Sequence, residues 1–234
     1  MNLKQTAASY ALNYIRDGMV LGLGSGSTTA YFVDLLGEKL KSGALRNIQG
    51  IPTSEATAHQ ARGLGIPLTT LAERGRTSRV PRLDVTVDGA DEVDPHLNLI
   101  KGLGKALLRE KIIEIHSDLF VVIVDESKIS PKLGTKAPLP VEIVKFESET
   151  HVRWLRTLSS HAELWLDDAG APVVTDNGNY LVRCWFEEGI ADSDHLAKTL
   201  AERPGIVEHG LFLDMASKVI VATAQGVKVM EREN

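Results

Sequence analysis

The chain is poor in the features that mark several functional classes. It has a single cysteine, Cys184, so no internal disulfide can form and a reducing cytosol is the expected setting. That thiol lies in an apolar run at 180–186 and reads as a buried residue rather than a nucleophile. Aromatic residues make up 5% of the chain, and no Lys/Arg cluster is interleaved with them. With a formal net charge of −5, a nucleic-acid partner is not expected. The longest wholly apolar run, 119–124, is far short of a membrane span. Residues 1–16 pattern as an amphipathic helix rather than a signal peptide. The expectation is a cytoplasmic protein with no membrane partner. Histidines 59, 96, 116, 151, 161, 195 and 209 form no H-x-H or H-E-x-x-H pair, so no metal site of that kind is expected. A G-x-S-x-G elbow and internal repeats are also lacking.

What is present is ordinary globular material, 43% hydrophobic and 24% charged over 234 residues, enough for a large domain with a small companion. Apolar periodicity predicts a helix over 4–16, a strand over 19–23, a helix over 28–41 and a strand over 47–51. A helix capped by Ser54 follows, then a short strand at 66–68 and a polar loop over 73–82. The strand 83–87, the helix 105–116 and the strand 119–124 continue the alternation. Such alternation predicts an α/β fold with a Rossmann-like parallel sheet and ligands at the carboxyl ends of its strands. Pro131, Gly134, Pro138 and Pro140 mark a linker. Beyond it the order is strand 141–146, helix 148–158, strands 162–166 and 180–186, helix 193–203 and strand 206–208. That is a β-α-β-β-α-β order, predicting a small ferredoxin-like α+β domain. The segments 211–214 and 218–222 are expected to rejoin the large sheet. The predicted division is therefore 1–133 plus 211–234 for the large domain and 134–210 for the small one.

Chemistry concentrates between 84 and 114. After the strand 83–87, a turn at Asp88-Gly89 opens a loop carrying Asp88, Asp91, Glu92 and Asp94. Lys101 then precedes Gly102 and Gly104, and Glu110 falls within a helix. Acids at a strand end, a lysine in a glycine turn and a helical glutamate are parts suited to proton transfer on a small anion. The opposing reading is a solvated acidic loop and a surface glutamate flanked by Arg109 and Lys111. Asp88, Asp91 and Asp94 offer oxygen ligands but lack the order of an EF-hand loop. The segment 22–29, Gly-Leu-Gly-Ser-Gly-Ser-Thr-Thr, has Ser27 where a dinucleotide fingerprint needs glycine and no Gly-Lys for a P-loop. Two readings stay open for it: backbone N–H groups and hydroxyls cradling a monophosphate at a helix N-terminus, or a plain glycine turn capped by Ser27. Lys128, beyond the strand 119–124, and Lys4, in the first helix, would add positive charge to such an anion, although each taken alone reads as a surface lysine.

Together these segments resemble type A ribose-5-phosphate isomerase over essentially the whole chain. The motifs are GLGSGST (22–28), DGADEVD (88–94), IKGLGKALLREKI (100–112), VDESK (124–128), VTDNGN (174–179) and PGIVEHGLF (204–212), in order and at the family's spacing. The resemblance implies cofactor-free interconversion of ribose 5-phosphate and ribulose 5-phosphate in the pentose phosphate pathway. It implies Glu110 as general base, with Asp88, Asp91 and Lys101 at the sugar end. It places Ser25, Gly26, Ser27, Thr28, Gly89, Ala90, Gly102, Leu103, Gly104, Lys128 and Lys4 in the substrate and phosphate site, with no metal. It also implies a homodimer or a tetramer. Two departures stand out, because the family's glycine triplet is Gly102-Leu103-Gly104 here and is followed by Lys105. Positive φ is expected at Gly102 and Gly104, and Lys105 has no assigned role. Other readings on this fold are an amino-sugar phosphate deaminase, a lactonase, or a sugar-phosphate sensor without turnover.

Overall fold

Strands buried on both faces carry continuous apolar sequence, and Val20–Leu23 and the interior of Ser117–Asp125 do so here. The computed structural model describes residues 2–74 and 81–232. Its first compact unit comprises the chain up to Gly89, Arg109–Ser127 and the segment from Met215 onward. In it a six-stranded sheet runs in the order Gly226–Glu231, Lys218–Thr223, Ser117–Asp125, Leu83–Asp88, Val20–Leu23, Gln49–Pro52. All neighbours are parallel except the hairpin of the last two strands in the sequence. Helices Leu3–Ala11 and Ser27–Lys41 supply Ala7, Ala8, Ala11, Phe32, Val33 and Leu36 to the core on this sheet. The chain places Gln49–Pro52 on one side of Val20–Leu23 and Leu83–Asp88 on the other. The direction of winding reverses there, which is where open α/β sheets bind ligands.

The second unit comprises Ala90–Leu108 and Lys128–Asp214. Its antiparallel four-stranded sheet runs Ile206–His209, Leu139–Ile143, Tyr180–Trp185, His161–Leu164. With helices Ser148–Leu155 and Ser193–Ala201, this is the fourth-first-third-second strand order of a ferredoxin-like unit. Asp192 caps the second helix by accepting the His195 N–H at 2.9 Å. A three-stranded sheet of Glu92–Val93, Leu99–Ile100 and Leu211–Phe212 completes the unit.

The structure departs from the expected layout at several points. The segment 90–108 belongs to the second compact unit rather than to the large one, and Leu211–Phe212 pairs with Leu99–Ile100 instead of the large sheet. The strand expected at 66–68 is reduced to one bridge, Gly50 with Leu68, because Pro67 has no N–H to extend a ladder. The first helix ends at Ala11 and passes into a short 3-10 turn. The loop expected over 73–82 overlaps the helix Leu71–Arg74, and its residues 75–80 lie outside the described residues. No helix among the described residues is long and apolar enough to cross a membrane.

Cys184 sits in the second unit's core with Val141, Val182 and Leu155. Burial pushes its thiol up to about 12, against a smaller opposite pull from Ser159. A neutral, enclosed thiol is a poor nucleophile. Thiol-reactive disulfide reagent at pH 8 is therefore expected to label the native protein at the rate of unfolding and the urea-unfolded chain at once. Rapid stoichiometric labelling of native protein would show the thiol to be accessible.

Candidate active site

The strand Val20–Leu23 ends in a turn that no side chain larger than hydrogen would allow at Gly24. A Cβ there would stand 2.1 Å from the Asp88 carboxyl carbon. Gly26 takes φ +102, open to glycine at no steric cost. Close approach lets Asp88 fasten the turn. Its Oδ1 accepts the N–H of Ser25 at 3.0 Å, the N–H of Gly89 at 2.7 Å and the Thr29 hydroxyl at 3.2 Å. Asp88 is fully buried, so these donors offset the cost of taking a carboxylate out of water. Gly26, not Ser27, is the N-cap of helix Ser27–Lys41, and no side chain caps it. The leading amides of that helix have no acceptor within it. Ser27 instead accepts a hydrogen bond from the Lys4 ammonium at 2.8 Å. Ser25, Gly26, Ser27, Thr28, Gly89, Asp88 and Lys4 thus share one end of the sheet in the first unit.

Glu110 reaches the same end by helix geometry. Its helix, Leu107–Glu114, packs Ile113 so near Gly22 that a Cβ on the glycine would lie 2.8 Å from the isoleucine methyl. The Leu83 N–H donates to the carbonyl of His116, so the helix runs back along the sheet from the carboxyl ends of its strands. Residues three apart share a helix face, and Glu110 lies roughly 4.5 Å nearer that edge than Ile113. It is 3% exposed, despite the charged neighbours that mark it as a surface residue by sequence.

In the second unit the remaining acids divide by task. Asp91 Oδ2 accepts the Leu103 N–H at 2.9 Å, tying the loop to the glycine turn. Glu92 is buried, and its carboxylate receives the backbone N–H groups of Gly134, Lys136 and Ala137. Asp94 closes its own loop, accepting from the N–H groups of His96 and Asn98. Glu92 and Asp94 are thus occupied in holding backbone. Among the described residues no group of three or more His, Cys, Asp or Glu has metal-binding geometry. Lys101 is 2% exposed, its N–H donating to the Gly210 carbonyl and its ammonium lying 5.4 Å from the Phe212 ring centroid. Ala90, Gly102, Leu103 and Gly104 flank these residues, and Lys128 ends a 3-10 turn after Ser117–Asp125.

The sequence profile described as ribose 5-phosphate isomerase A (phosphoriboisomerase A) matches residues 49–226. The chain belongs to that family. Ribose-5-phosphate isomerase A from Roseiflexus castenholzii is 47% identical over 228 residues, covering 97% of this chain and 94% of the relative. A solved D-ribose-5-phosphate isomerase in complex with phospho-erythronic acid superposes with a TM-score of 0.92 at 45% identity, covering 99% of this chain and all of that one. The ribose 5-phosphate isomerase from Plasmodium falciparum gives 0.93 at 36% identity, with 99% of each chain covered. Membership makes the protein an isomerase, and its activity is ribose-5-phosphate isomerisation.

Within this chain, the structure accounts for Lys105. The left-handed positions of the turn fall on Gly102 (φ 109) and Lys105 (φ 68), and the Lys105 N–H closes the turn onto the Gly102 carbonyl at 2.9 Å. The Lys105 ammonium lies 5.4 Å from the Trp165 ring, which also carries the Arg183 guanidinium at 5.2 Å. Cation–π contact thereby anchors a residue whose backbone conformation is otherwise unfavourable. Sequence reasoning missed Thr53 and Thr57, whose hydroxyls lie within reach of Ser25. It also missed that Ser54, the helix cap, has a second partner in Ser25. A signal was present in the run Thr53-Ser54-x-x-Thr57, which reads as a capping segment alone.

Proposed function

We propose that the enzyme interconverts D-ribose 5-phosphate and D-ribulose 5-phosphate through a cis-enediolate, with Glu110 as the base. The observation that carries this reading is the convergence of Glu110, Asp88 and the 24–28 turn on one edge of one sheet. The sugar ring first opens. Glu110 then takes the proton from C2 and returns it to C1, or the reverse, since one carboxylate on a rigid helix can serve adjacent carbons. Asp88, held by the Ser25 and Gly89 amides, exchanges the proton between O1 and O2. Asp91 orients the glycine turn through Leu103. Lys101 and the backbone N–H groups of 102–104 stabilise the oxyanion that develops as the enediolate forms.

The phosphate is received by the 25–28 segment, where helix amides and hydroxyls meet the Lys4 ammonium, with Lys128 adding positive charge. The solved relative bound to phospho-erythronic acid, an acid carrying both a carboxylate and a phosphate, is in keeping with such a site. No cofactor enters these steps. The family resemblance further supports a cytoplasmic homodimer acting in the non-oxidative pentose phosphate pathway.

The test is conversion of ribose 5-phosphate in deuterated water with a chelator present. Ketopentose phosphate should form as fast with the chelator as without it and acquire deuterium at C1 on prolonged equilibration. Turnover with C1 permanently free of solvent deuterium would indicate hydride transfer and discard the enediolate.

A further inference from the structure

The turn that carries Ser25 is tied to the next helix by a chain of buried hydroxyls. Ser25 Oγ lies 2.7 Å from Ser54 Oγ and 2.8 Å from Thr53 Oγ1. Ser54 Oγ donates to Thr57 Oγ1 at 3.0 Å, and Thr57 Oγ1 donates to the Gly24 carbonyl at 2.9 Å. Thr53, Ser54 and Thr57 are all buried. The chain has a fixed direction, because a carbonyl can only accept. Thr57 must therefore spend its hydrogen on Gly24, which makes its oxygen the acceptor for Ser54. Ser54, its hydrogen used, accepts both the Thr57 N–H at 3.1 Å and the Ser25 hydroxyl. One serine thus caps helix Glu55–Gly63 and receives the loop residue from the neighbouring strand.

We propose that Thr57 and Ser54 are positioning residues for the anion-binding turn, holding the Gly24 carbonyl and Ser25 so that the 25–28 amides and hydroxyls face the phosphate. Thr53 supplies a second hydroxyl partner for Ser25. When an anion arrives, Ser25 can turn its hydrogen outward and still accept from Thr53, so its oxygen is never left without a partner. This inference rests on the reading of the 25–28 segment as the phosphate site.

Thr57→Val keeps the shape and removes the hydroxyl, leaving the Gly24 carbonyl without its donor and Ser54 without its acceptor. The KM for ribose 5-phosphate and the inhibition constant of inorganic phosphate are both expected to rise, by roughly fivefold to tenfold, the effect of one lost hydrogen bond. The kcat should stay within about twofold, since no reacting atom touches Thr57. Thr57→Ser should restore both constants, which a purely steric role for the threonine would not predict. Ser54→Gly, which keeps a favoured cap residue, should reproduce the defect and serves if the valine variant does not fold. Unchanged constants in folded Thr57→Val or Ser54→Gly would overturn the proposal. Ser25→Ala separates the two levels. If it raises both constants while Thr57→Val raises neither, the relay alone is wrong; if it raises neither, the phosphate reading is wrong and the relay falls with it.

Discussion

Glu110→Gln is expected to lower kcat by roughly 10²–10⁴-fold, the span attributable to a positioned general base, with KM close to the parent value. Glutamine matches glutamate in shape, and the helix Leu107–Glu114 is set by Leu107 in the core and by Ile113 against Gly22, neither of which the change touches. The side chain at 110 is almost completely enclosed, so no bulk-water carboxylate or buffer base can readily substitute. Thermal melting should coincide with that of the parent, since replacing a buried carboxylate by an amide removes a desolvation cost along with any bonds to the charge. Solvent deuterium should also cease to enter C1 of the ketose in proportion to the lost turnover. A variant that turns over at near the parental rate would take Glu110 out of the base role.

The part of the fold legible in the sequence was the part written in local pattern. Alternating strands and helices gave the parallel sheet because each βα unit carries its own periodicity, and the β-α-β-β-α-β order of the second unit was likewise readable. The short pairings were not. Glu92–Val93, Leu99–Ile100 and Leu211–Phe212 are two-residue strands, too brief for period-two alternation, and one of them arrives from more than a hundred residues away. That distant partner is why 90–108 joins the second unit instead of following the strand that precedes it. The hairpin strand Gly226–Glu231 lies at a sheet edge with mixed exposure and no clean apolar face. Among the acids, spacing alone could not separate Asp88 and Asp91 from Glu92 and Asp94. The separation comes from which backbone N–H groups surround each carboxylate, as with Gly134, Lys136 and Ala137 around Glu92. Gly22 and Gly24 were legible as a glycine turn, yet their cause is tertiary: Thr86, Ile113 and Asp88 occupy the space where their side chains would be.

Lys101→Met should separate stability from activity. Lys101 is 2% exposed, and its backbone N–H is held by Gly210, a bond the substitution leaves in place. Methionine has nearly the same length and volume and keeps contact with the Phe212 ring, where a thioether is as welcome as a cation. Removing a buried charge from the groups around it costs stability, so the melting temperature should fall while the protein stays folded at assay temperature. Activity should fall much further. A charged donor aimed at the developing oxyanion contributes about 3–4 kcal/mol to the transition state, and its loss should reduce kcat by roughly 10²–10³-fold. Lys101→Arg should not restore the rate, because a planar guanidinium needs room and a geometry that this enclosed position does not provide. Measured on one preparation, a variant still folded at assay temperature with collapsed kcat is the signature of a charge kept for chemistry. A Met variant that melts early and retains most of its turnover would make Lys101 a structural residue and remove it from the proposed oxyanion site.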